Sequence, residues 1–134
     1  MIKKTLLLVL IFIGLNSFAQ ELTCKDFMNG EFKIPKDSLV KKSYKIIKLN
    51  GKQTEIDEDG NKTVIDIKYI DNCNYVMTYN LKENDFDELS EYINASGGIK
   101  IQVQEIKGDT LIYSALIKND SINFETKGKI IKLN

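Results

Sequence analysis

Two cysteines, a scatter of carboxylates and a set of tyrosines are the residues of this chain that could carry chemistry, and its 134 residues include no histidine. Without an imidazole there is no Ser-His-Asp or Cys-His nucleophile, no histidine zinc site and no side chain whose unperturbed pKa lies near neutrality. Cys24 and Cys73 match no zinc-ligand spacing. In an exported chain two cysteines pair more readily than they stay free, so a Cys24–Cys73 disulfide is expected. Asp85, Asp87, Glu88 and Glu91 could supply the paired acids of a glycosidase-like hydrolase. They equally make a solvated helix face with acids in its first turn. Asp57, Asp59 and Asn61 around Gly60 have the oxygen-rich start of a calcium loop. Lys68 stands where such a loop needs its closing Glu, so a hairpin turn is expected and no metal site is assigned. No cofactor and no catalytic residue are assigned either.

Tyr69, Tyr75, Met77, Tyr79 and Tyr113, with Tyr92, could line an apolar pocket with polar tips, as small-ligand sites do. An ordinary core with hydroxyls at its rim accounts for the same residues.

These side chains must be positioned by short strands. Glu31–Ile34 alternates, with Phe32 and Ile34 on one face, and Pro35 stops it as a first or edge strand. Ser43–Leu49 and Lys52–Asp57 are strands around Asn50-Gly51, the strongest short hairpin signal. Lys62–Asn80 reads as two strands joined at Asp71-Asn72, with Cys73 opening the second. Ile99–Ile106, Thr110–Lys118, Ser121–Glu125 and Lys129–Leu133 follow, with turns at Lys107–Asp109, Asn119-Asp120 and Thr126–Gly128. Ile65, Ile67 and Tyr69 share a face, as do Tyr75, Met77 and Tyr79, Ile99, Ile101 and Val103, Leu111, Tyr113, Ala115 and Ile117, and Ile122 and Phe124. Asn84–Ser96 breaks the pattern: Phe86, Leu89, Tyr92 and Ile93 recur at helical spacing, Asp85 and Glu88 form a capping box, and Gly97-Gly98 ends it. Ile112 and Leu116 give the 110–117 strand a second apolar face, which the helix could cover. Leu22–Asn29 reads as a short helical turn. The fold class expected is mainly β: an antiparallel up-and-down meander of about eight strands, a barrel or half-barrel, with one short helix.

Lys3 and Lys4, the apolar run Thr5–Leu15 and the small-x-small triplet Ser17-Phe18-Ala19 form a secretory signal peptide, so residues 1–19 are expected to be removed and residues 20–134 to form one β domain. The apolar run is about eleven residues, too short for the roughly 20 of a membrane span, and no later segment is apolar enough. Glu21-Leu22-Thr23 before Cys24 is not a lipobox, so a lipoprotein is not expected. A periplasmic or secreted location is.

Lysines and acids balance at 19 each, and none of the 19 basic residues is Arg. A near-neutral chain lacking the forked guanidinium has no nucleic-acid footprint.

Cys24, Phe27, Gly30 and Phe32 in CKDFMNGEFKI, and Cys73, Tyr75 and Met77 in YIDNCNYVMTY, resemble the paired motifs of a group of small secreted bacterial proteins. In that group a C-x-x-F-x-x-G-x-F start precedes a W-x-x-x-C-x-Y-x-[LM] hairpin; Tyr69 replaces its Trp. Gly30-x-Phe32 also looks like the G-x-[WFY] start of lipocalin-type barrels. That resemblance implies a cup-shaped sheet and a small apolar ligand, and carries over no catalytic residue. Asp37-Ser38-Leu39, Asp109-Thr110-Leu111 and Asp120-Ser121-Ile122 look like a bacterial O-glycosylation site; Asp-Ser and Asp-Thr also close turns. Asn61, Asn94 and Asn119 stand in N-x-[ST] sequons. The functional expectation is an exported binding protein for a small apolar ligand, not an enzyme. A protein-interaction module such as an envelope accessory or inhibitor is the alternative, and a carboxylate-based hydrolase the third reading.

Overall fold

The computed structural model describes residues 20–85 and 87–134; the signal-peptide expectation and Phe86 lie outside them. A 3-10 helix, Cys24–Phe27, comes first, held by the Asp26 carboxylate accepting the Thr23 N–H at 2.7 Å. Eight strands follow: β1 (Gly30–Ile34), β2 (Tyr44–Leu49), β3 (Lys52–Asp57), β4 (Lys62–Tyr69), β5 (Tyr75–Tyr79), β6 (Ile99–Lys107), β7 (Thr110–Lys118) and β8 (Asn123–Lys132). Helix α1 (Glu88–Ala95) lies between β5 and β6. Each strand pairs antiparallel with the next, and β8 returns to β1, closing an up-and-down barrel.

Closure removes the edge expected for β1: its Phe32 and Lys33 pair with Lys132 and Ile131 on one side while the whole strand pairs with β2 on the other. Asn50 and Gly51 both take positive φ, 50° and 77°. That is the twist-matched two-residue turn a tight hairpin prefers, and glycine reaches it without a Cβ penalty.

Four local expectations are corrected. Cys73 lies in the β4–β5 turn, not in a strand, because Asp71 Oδ1 accepts the N–H groups of Cys73 and Asn74, both at 2.7 Å, and holds that backbone out of the ladder. Ser121–Glu125 and Lys129–Leu133 are not two strands: β8 runs through Thr126–Gly128 unbroken. Gly128 is there for space. It faces Tyr113 across the ladder, and a Cβ would lie 2.6 Å from that ring. The helix cap is Asp87, whose Oδ1 accepts the Leu89 N–H at 2.8 Å. Asn84 instead joins β4, its amide bonding the N–H and C=O of Val64, both at 2.7 Å. Helix α1 packs on β5: Asn94 bonds the N–H and C=O of Tyr79, both at 2.8 Å, and Ile93 is the buried helix residue. Leu89 and Tyr92, placed on the same face by spacing, are exposed, as are Ile122 and Phe124.

The two ends of the barrel differ. At one end Phe27 caps Phe32, their rings stacked 5.6 Å apart. Ile46, Leu111 and Ile130 complete this apolar cluster. The Cys24–Cys73 disulfide forms, with Cα atoms 5.0 Å apart, and ties the 3-10 helix to the β4–β5 turn at the same end. The opposite end lies beside α1. Among the described residues no helix is long and apolar enough to cross a membrane.

Candidate functional site

The alternation of β2 and β3 puts polar groups inside the barrel. Lys48 is in phase with Ile46 and pairs with Gln53; Glu55 pairs with Ile46. Inward-facing charge is costly unless it is partnered. Lys48 is 2% exposed, and its Nζ donates to the Tyr75 hydroxyl at 3.1 Å. The ammonium also sits 4.7 Å from the Tyr75 ring centre and 5.5 Å from that of Phe32, a cation–π arrangement. Burial still pulls Lys48 down to about 8, with Glu55 opposing the shift. Burial pushes the Glu55 carboxyl up, against the amide of Gln53 and the charge of Lys48. Gln53 Nε2 donates to Glu55 Oε1 at 2.9 Å. The Gln53 Oε1 is buried and has no donor among the described residues.

Above this layer a cavity of about 590 Å³ opens at the α1 end. Tyr44, Glu55 and Thr63 line it from the barrel, Tyr79 from β5, and Asp85, Asp87, Leu89 and Ser90 from the segment leading into α1. Lys62 and Asn84 complete the lining. Asn84 is consumed by its bonds to Val64 and Asn80; the hydroxyls of Tyr44 and Tyr79 bond to nothing among the described residues. Burial holds the Tyr79 phenol up, reinforced by Glu55 and Asp87. Among the described residues the wall is therefore rich in acceptors.

Of the tyrosines singled out for pocket lining, Tyr79 lines this cavity. Tyr75, 5% exposed, is core and the partner of Lys48. Tyr69 leans on Tyr75 with ring centres 5.3 Å apart and reaches the Met28 carbonyl at 3.4 Å. Tyr113 lies over Gly128, its phenol raised to about 12 by burial and Glu55. Met77 shares the inner face with Ile67 but lies away from the cavity lining. The acids of the helix divide: Asp85 and Asp87 line the cavity, Glu88 and Glu91 do not.

The polar cluster of Lys48, Gln53 and Glu55 was not foreseen, although its signal was present: all three fall in phase with inward positions, and Leu49, out of phase, is 61% exposed. Asp57 spends its carboxylate on the turn, accepting from the N–H groups of Asp59 and Asn61 at 2.9 Å. No group of three or more metal-ligating side chains converges among the described residues. Asp37 and Asn119 likewise accept from backbone N–H groups, closing the turns that carry Ser38 and Ser121. No family model, curated protein or solved structure matches the chain.

Proposed function

We propose that this is an exported, non-catalytic binding protein that takes a small ligand into the α1-side mouth of its barrel. The cavity carries the reading: about 590 Å³, within the size of small-molecule sites, with Glu55, Tyr44 and Tyr79 lining it. The architecture resembles lipocalin-type barrels, which hold one small ligand in an eight-stranded cup, but that likeness is an analogy of fold. Export is supported by the disulfide, which persists in oxidising compartments, and by the leader read in residues 1–19. The lining favours a ligand with polar groups over a wholly apolar one, since an apolar occupant would leave Glu55 without water.

A fragment screen by amide NMR tests this, using equal numbers of cationic, neutral and anionic members. Hits should move the amides of Glu55, Thr63, Tyr79 and Ser90 together. Shifts confined to the outer surface would sink the reading. One surface supports a second: Tyr92 and Ile122 meet at Asn119, and with Leu89 and Phe124 they expose apolar area near the mouth, as a protein-interaction module would. Hits gathered on those four residues favour it.

A further inference from the structure

We infer that the open stretch of β8, Asn123–Lys129, pairs antiparallel with the same stretch of a second copy of this chain, joining two barrels across a two-fold axis. The inference goes beyond the small-ligand reading and does not rest on it. Strand β8 is ten residues long but meets β1 only at Ile131 and Lys132. Continued along both strands, that register would set Pro35 opposite Lys129, and proline has no N–H to give the ladder. Strand β1 ends at Ile34, so from Asn123 to Lys129 β8 pairs with β7 alone. Two bonds fix which backbone groups face the open side. The Lys132 N–H donates to the Asp109 carbonyl on the β7 side at 2.8 Å, and the Leu133 N–H donates to the Glu31 carbonyl on the β1 side at 2.9 Å. The β7–β8 register has no shift, so the N–H and C=O groups of Asn123, Glu125, Lys127 and Lys129 point to the open side. None of these groups has a partner among the described residues, and all four residues are exposed.

An open strand edge is a template for another strand, and this one is complementary to itself. Antiparallel pairing of two copies about Thr126 sets Glu125 opposite Lys127 of the second copy and, by symmetry, Lys127 opposite its Glu125. Opposite charges directly across a ladder attract, and like charges repel. Asn123 meets Lys129. On the other face Phe124, 56% exposed in the single barrel, lies opposite Gly128 of the copy, where no side chain blocks the ring. The register is specified as well. The smallest slip that keeps the edge groups facing would set Glu125 against its own copy or Lys127 against its own copy. Lysines on an edge ordinarily discourage pairing, but in the matched register each meets an acid or an amide. Within their own barrel Glu125, Lys127 and Lys129 make no ion pair among the described residues. The matched pairs would exchange about eight main-chain hydrogen bonds. The two-fold axis consumes both open edges, so assembly stops at the dimer.

Sedimentation velocity on the disulfide-bonded protein, loaded from about 10 µM to about 1 mM, reads the stoichiometry. A monomer–dimer equilibrium is expected within that range. Glu125→Lys and Lys127→Glu each set like charges opposite one another on both sides of the axis. Each should weaken the dimer about tenfold or more, with the circular dichroism and melting of the dilute protein unchanged. The double variant Glu125→Lys, Lys127→Glu restores the opposite-charge pairs in reverse and should recover the dimer. An equimolar mixture of the two single variants should recover it too. As concentration rises the amides of Glu125 and Lys127 should exchange more slowly, while those of Phe124 and Thr126, bonded to β7, keep their rates. A protein that stays monomeric over the whole range overturns the inference. So does a dimer that both single variants leave intact, a dimer that the charge swap fails to restore, or growth past two copies. Each of these outcomes leaves the small-ligand cavity standing, since the fragment screen tests it separately.

Discussion

Lys48 shows how far a single residue's chemistry can be at odds with its phase. In YKIIKL the period of two carries Tyr44, Ile46 and Lys48 to the same side, and the barrel keeps that phase although it buries an ammonium and exposes Leu49. The alternation was legible; the side it faced was not, because charge argued for solvent while register argued for the core. Register won, since slipping β2 by one residue would expose Ile46 and break its pairing with both Phe32 and Glu55. The strain of that choice is measurable. The folded protein releases the Lys48 proton near pH 8, whereas the unfolded chain keeps it to about 10.5. Between those values the unfolded state binds more protons, so stability should rise with pH. The raised phenols of Tyr75 and Tyr113 act the other way only above the ordinary tyrosine value of 10.0, where the folded state keeps the proton longer. Lys48→Met should abolish the rise between pH 8 and 10, and it should cost stability at pH 7, because it leaves the buried Glu55 without the charge that opposes its desolvation. Urea denaturation at stepped pH reads both, and a variant that keeps the slope would show another group to be responsible.

At the scale of elements, the sequence was read best where local chemistry decides the outcome. Asn50-Gly51 gave its hairpin, and Ile65, Ile67 and Tyr69 pair with Tyr79, Met77 and Tyr75 as the period of two set them, whereas a bulge between Val103 and Glu105 breaks that period in β6. It was read worst where a distant neighbour decides. Thr126–Gly128 has the composition of a turn, yet it is the middle of a ten-residue strand because Tyr113 needs the room that Gly128 leaves. The same holds for α1, whose Asn94 and nearby Asn84 look like sequon and loop residues but clamp the edges of β5 and β4. Gly128→Val offers a test of the strand reading. A side chain suited to a strand should help if the segment were an unstrained ladder, but here the ring of Tyr113 occupies its place. The expected outcome is a loss of about 1–3 kcal/mol, the cost of overpacking a filled core, with the Tyr113 ring signals displaced. A variant as stable as the parent would show that Tyr113 can move aside freely.

For the whole molecule the question is what keeps a closed barrel closed when its seam is its thinnest joint. The β7–β8 ladder runs over nine register pairs, from Thr110↔Ile131 to Lys118↔Asn123, while the β1–β8 seam has two, Phe32↔Lys132 and Lys33↔Ile131. The Leu133 N–H adds a bond to the Glu31 carbonyl at 2.9 Å. The rest is tertiary: Lys132 Nζ donates to the Asp26 carbonyl at 3.0 Å and lies 5.2 Å from the Phe32 ring centre. These contacts converge on the 3-10 helix, which the disulfide fastens to the β4–β5 turn across the barrel's closed end. The staple thus pins β1 from the side opposite its seam, so that a transient opening leaves β1 tethered and able to re-form. Its separation of 49 residues corresponds to about 4 kcal/mol of stabilisation in the chain-entropy model. Local opening should therefore be graded: Phe32 and Lys33 amides exchange sooner than those of β7 even in the intact protein, as the least-paired unit opens first. In the double variant Cys24→Ser, Cys73→Ser the melting point should drop, and protection in β1 should fall by more than protection in β7. Hydrogen exchange by mass spectrometry on both forms decides between a staple that guards the seam and one that merely shortens the unfolded chain. The second would lower protection equally in every strand that exchanges by global unfolding and leave the seam no worse than the rest.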